Sequence, residues 1–224
     1  VADVTGIAEL AAAHGALLVV DNTFTTPAMF RPMEHGADIV INSITKFLAG
    51  HSDVTLGYVA ARDPGLRTAI YDAAVTWGTT PSPFDCWLAE RGLHTFDLRF
   101  EKAQATAAAL ADALAGRDGI RQVIYPGRAD HPHHNRAGTL FGGQFGNMLS
   151  FEIEGGRDEV NSFVMNAGGI PFAPTLGDVG CTLSHPASSS HRALTTEGRA
   201  ALGISEGYFR LSLIHISEPT RLRS

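Results

Sequence analysis

Asp21, Ser43, Thr45 and Lys46 are the residues whose types and spacing carry chemistry. A lysine amine that has lost its proton attacks carbonyl carbon, and partial desolvation is what eases that loss. A carboxylate nearby pairs with a cationic group, while small hydroxyls donate hydrogen bonds to an anion such as a phosphate. Each residue also has a plain structural reading. An aspartate after a strand caps a helix, and Ser or Thr in a turn bonds its own backbone. Taken one at a time, those readings win.

The elements that must position the four groups change that balance. Ala16–Val20 is a short apolar run between turn signals, as expected of a buried strand in a parallel sheet, and Asp21 comes directly after it. A second such strand is expected at Asp38–Asn42, with Ser43, Thr45 and Lys46 just beyond, and a third at Gly57–Ala61. In open α/β sheets the carboxyl ends of strands are where ligands bind, so the four groups would converge on one crevice. Together they match the needs of pyridoxal phosphate (PLP). That cofactor takes a lysine for its Schiff base, a carboxylate facing its pyridinium nitrogen and small donors for its phosphate.

Helices are expected at Thr5–His14 and Leu66–Val75, and a long one from Phe84 to Leu114, weakened at Gly92. Beyond Gly116 the rhythm changes to strands at Ile120–Tyr125, Met148–Ile153, Ile170–Ala173 and Tyr208–Leu213, with one helix at Asp158–Ala167. The pattern predicts an α/β core with a smaller C-terminal α+β domain after it. The expected division is 1–95 for the core, 96–213 for the small domain, and 214–224 for a foreign tail with no amphipathic period. The start without Met and that tail are read as marks of a fragment.

Composition excludes other classes. The 224 residues carry 17 Lys+Arg against 23 Asp+Glu, a net charge of −6, which is the wrong sign for a nucleic-acid surface. No apolar run reaches the ~18 residues of a membrane helix. The two cysteines, Cys86 and Cys181, match no metal or redox spacing, as expected in a reducing cytoplasm.

The stretch Asp38-Ile39-x-x-x-Ser43-x-Thr45-Lys46-Phe47-Leu48-x-Gly50-His51-Ser52 resembles the PLP-attachment signature of the cysteine/methionine metabolism enzymes. The run Val-Val-Asp-Asn-Thr-Phe and the 25 positions from Asp21 to Lys46 are similar too. So are Cys86–Thr95, Thr175–Asp178, Ser184–Ser188 and Tyr208–Ser212. The resemblance implies an aspartate aminotransferase-like, fold type I core. It also implies β- or γ-elimination, or γ-replacement, on cystathionine, methionine or an O-acylhomoserine.

Carried over by position, Lys46 attaches the cofactor and moves the substrate α-proton, and Asp21 faces the ring nitrogen. Ser43 and Thr45 bind the phosphate. Arg210 clamps the substrate α-carboxylate, and Thr175 stands where the family usually has a serine near the lysine. The family works as dimers or tetramers with shared sites, without metal, nucleic acid or membrane. It also places a ring-stacking aromatic and a glycine-rich phosphate turn upstream of Val1, which leaves a catalytically silent fragment as the alternative. A metal-dependent hydrolase built on His131, His133 and His134, with His51 and Asp53, is the remote third reading.

Overall fold

Asp3, Asp63 and Ser82 each start a helix by taking up an amide that the first turn leaves unpaired, those of Gly6 (3.1 Å), Leu66 (2.8 Å) and Asp85 (3.1 Å). The computed structural model describes residues 1–213; the expected foreign tail at 214–224 lies outside the described residues. The order begins α1 (Val4–Ala13), β1 (Val19–Asp21), α2 (Thr26–Met29), β2 (Ile39–Ser43), β3 (Gly57–Ala61), α3 (Pro64–Trp77), α4 (Pro83–Leu93) and α5 (Phe96–Leu114). It continues with β4 (Ile120–Ile124), α6 (His134–Leu140), β5 (Met148–Ile153), α7 (Arg157–Asn166), β6 (Thr182–Ser184), α8 (Thr196–Ala201) and β7 (Tyr208–Ser212). No described helix is long and apolar enough to cross a membrane.

The chain divides into two compact units. The first is Val1–Leu98 with Asn135–Gln144; the second is Arg99–His134 with the described residues from Phe145 onward. Against the expected division at 95, the break falls three residues later, and a short segment around α6 returns to the first unit.

The first unit holds a three-stranded sheet in the order β1-β2-β3, with β1 parallel to β2 and β3 antiparallel. The apolar runs predict strands buried on both faces. One face is instead open, with Val19 49%, Ile41 40% and Val59 47% exposed, while Val40 and Asn42 on the other face are buried. Helix α3 has no buried residue at all.

The expected single helix from Phe84 to Leu114 is two helices that break at His94–Thr95, not at Gly92. Gly92 lies inside α4 because the backbone of Ala49 passes over it. A Cβ there would collide with the Ala49 carbonyl oxygen. Gly92→Ala is therefore expected to cost about 1–3 kcal/mol through forced backbone movement. A urea titration reads this as a lower midpoint; an unchanged midpoint would show that the close approach is not rigid.

The second unit is an antiparallel sheet in the order β4-β5-β7-β6. Leu149, Phe151 and Ile153 alternate inward from β5, as a period of two requires, and meet Phe209 and Leu211 of β7. Ala107 and Ala111 of α5 and Val160 of α7 complete this core. No strand forms at Ile170–Ala173. There the chain makes one isolated bridge, Phe172 to Leu183, and Pro171 has no N–H with which to extend a ladder.

Candidate active site

The carboxyl ends of β1 and β2 open on a cavity of about 600 Å³, within the usual range for a small-molecule site. Asp21, Ser43 and Thr45 line it, together with Thr55, Gly57 and the segment from Gly78 to Ser82. Asp21 is exposed, and one of its carboxylate oxygens accepts the Thr23 N–H at 2.9 Å. The Ser43 hydroxyl makes no hydrogen bond among the described residues, so its proton is available to a ligand.

Thr45 is engaged elsewhere. Its hydroxyl donates to the Leu56 carbonyl (3.2 Å) and accepts the Leu56 N–H (2.9 Å), closing the lysine turn against the start of β3. Lys46 comes next, half-buried and not among the residues lining the cavity. Its carbonyl accepts the N–H of Gly50 at 2.8 Å. Gly50 has φ +73°, a left-handed conformation in which a side chain would be strained. Phe47, Leu48 and Ala49 are buried and anchor the turn.

Arg210 and Thr175 belong to the second unit. Arg210 lies on β7, with Ser150 and Ser184 as its cross-strand neighbours, so neither side crowds the guanidinium. Burial pulls that guanidinium below the ordinary arginine range. Among the described residues it has no ion-pair partner. A half-buried cation without a counter-charge is a place for an incoming anion. The Thr175 carbonyl accepts the Thr182 hydroxyl at 3.1 Å, and Gly177 donates to Ser212 Oγ at 3.2 Å, so this segment is tied to β6 and β7.

The histidines of the His131–His134 run are tied to their own loop. His131 Nδ1 accepts the His133 N–H (3.0 Å), and His134 Nδ1 is bonded to the Pro126 carbonyl (2.9 Å). Among the described residues, no three His, Cys, Asp or Glu side chains gather closely enough to hold an ion. A smaller cavity of about 380 Å³ beside β4 includes Arg128, but this cation is already paired with Asp112 and Asp130.

The sequence pattern described as "Cys/Met metabolism PLP-dependent enzyme" matches residues 1–214. The chain belongs to this family. It is 41% identical over 213 residues to the cystathionine beta-lyase MetC of Bacillus subtilis, covering 95% of this chain and 54% of that one. The O-succinylhomoserine sulfhydrylase of Pseudomonas aeruginosa is 39% identical, covering 94% and 52%. Among solved structures, a cystathionine gamma synthase from Xanthomonas oryzae superposes with a TM-score of 0.91 at 45% identity, covering 96% of this chain and 56% of that one. The chain thus spans about half the length of the curated relatives it matches.

The residues present fit the family's cofactor. An exposed carboxylate at one strand end and an uncommitted serine hydroxyl at the next share a cavity of suitable size, with a lysine in the adjoining turn. Three polar residues escape a reading of the sequence alone: Asn22, Thr23 and Asn42, all buried beneath the strand ends. Their signal is their position, directly beside Asp21 and Ser43, rather than their type.

Proposed function

We propose that the protein is a PLP-dependent enzyme of sulfur amino-acid metabolism. In this reading it catalyses β- or γ-elimination, or γ-replacement, on cystathionine, methionine or an O-acylhomoserine. The observation that carries the proposal is the shared cavity of Asp21 and Ser43 beside the Lys46 turn. Asp21 would hold its charge against the ring nitrogen, Ser43 would donate to the phosphate, and Lys46 would anchor the cofactor. Thr45 would join Ser43 only by turning its hydroxyl from Leu56. When bound, the cofactor supplies an electron sink for charge that develops at the substrate α-carbon.

Within that scheme the Lys46 amine would take the α-proton and return it, acting as base and then acid. Arg210 clamps the substrate α-carboxylate with its two-pronged guanidinium, and Thr175 lies in the segment that shapes the substrate side. The second unit is read as the small C-terminal α+β domain of a fold type I enzyme. The whole protein is read as a cytoplasmic homo-oligomer with shared sites. Since the chain spans about half of its relatives' length, activity is proposed for the whole protein that contains these residues.

Incubation with PLP, borohydride reduction and peptide mapping by mass spectrometry test the assignment. The label is expected on Lys46. Label on another lysine would overturn the assignment, and no label would favour a silent chain.

A further inference from the structure

Strand β1 has only three residues, and a parallel pair this short gives little intrinsic hold on the residues beyond it. Yet the chemistry proposed above needs Asp21 and Ser43, at the ends of the two strands, at a fixed separation. The backbone ladder continues for one bond past β1, from Asn22 N–H to the Ile41 carbonyl (2.8 Å), and then stops. It stops because the chain turns into α2. The Asn22 carbonyl is taken by the Thr26 N–H (2.8 Å) and by Asn42 Nδ2 (3.1 Å), leaving nothing for the Ser43 amide.

A side chain fills the gap. Ser43 N–H donates to Thr23 Oγ1 at 2.9 Å, and the Thr23 N–H itself donates to the Asp21 carboxylate at 2.9 Å. One residue therefore holds the backbone of the proposed phosphate donor with its hydroxyl and orients the ring-facing carboxylate with its amide. Thr23 is 7% exposed, and Asn22 and Asn42 beneath it are each 1% exposed, so water does not readily replace these bonds.

We infer that Thr23 is a positioning residue that locks Ser43 to Asp21 from beside the cavity those two residues line. This role rests on the proposed function for its purpose, but the bond itself does not. Thr23→Val keeps the shape and the methyl group, keeps the backbone N–H that holds Asp21, and removes only the oxygen that holds Ser43. Thr23→Ser keeps that oxygen and is the conservative rescue.

Two measurements on the intact chain decide it. Amide hydrogen exchange by NMR is expected to speed up roughly tenfold at Ser43 in Thr23→Val, with β3 amides unchanged and Thr23→Ser close to the parent. The yield of PLP fixed on Lys46 by borohydride is expected to fall in Thr23→Val and to recover in Thr23→Ser. Unchanged exchange at Ser43, or an equal rise throughout the sheet, would overturn the positioning role. Should the valine variant not fold, Thr23→Ala is read in the same way. If both fail to fold while Thr23→Ser folds, the bond serves the fold and the inference is lost. Absence of label in the parent chain strikes the cofactor reading alone; the exchange at Ser43 still decides Thr23.

Discussion

Asp21→Asn is expected, on the proposed role, to lower kcat of the cofactor-loaded protein by about a hundredfold or more while leaving its fold intact. The substitution keeps an oxygen where the Thr23 N–H finds its acceptor, so the local turn survives. It removes only the negative charge. A charge that faces a ring nitrogen acts on density developing in the transition state, where one preorganised group is worth on the order of 3 kcal/mol. The exposed position of Asp21 in the isolated chain means that no buried ion pair is broken by the change. Steady-state kinetics together with cofactor content by absorbance check the outcome. Near-normal turnover in a fully loaded Asp21→Asn protein would end the proposed role.

Arg210→Ala is expected, on the proposed role, to raise KM for every amino-acid substrate and to leave cofactor loading unchanged. Among the described residues Arg210 has no counter-ion, so its removal breaks no salt bridge that holds β7. What is lost is a charged, two-pronged contact, and truncating one with a buried partner costs about 2–5 kcal/mol. Arg210→Lys retains the charge without the fork and should fall between the two. Comparison on cystathionine, methionine and O-acetylhomoserine checks this, because all three carry the same α-carboxylate. A defect limited to one substrate would show that Arg210 reads the side chain instead.

The chemistry-bearing strand ends are legible because each is one residue type at the close of an apolar run. Val19-Val20 before Asp21 and Ile39–Asn42 before Ser43 are such cases. The break at His94–Thr95 is not legible, since Gly92 reads as the weak point of one long helix and only the passage of Ala49 explains it inside α4. At Ile170–Ala173 the apolar residues favour a strand, and Pro171 limits it to a single bridge. Thr23 is hidden for another reason. Next to Asp and Asn it reads as a local turn former, whereas its oxygen serves an amide on the neighbouring strand, twenty residues on.

The open face of the first sheet has a thermodynamic consequence. Apolar surface left in water forgoes about 25 cal/mol per Å² of stabilisation. Helix α3 is capped at both ends, by Asp63 and by Gly78 in the left-handed conformation, yet none of its residues is fully buried and only Leu66, Ile70 and Ala74 are partly covered. An isolated helix of 14 residues is marginal in water. Any macromolecule that binds only the folded form of this face stabilises the unit with the logarithm of its own concentration. With such a binder present, the unfolding midpoint of the first unit rises with the binder's concentration.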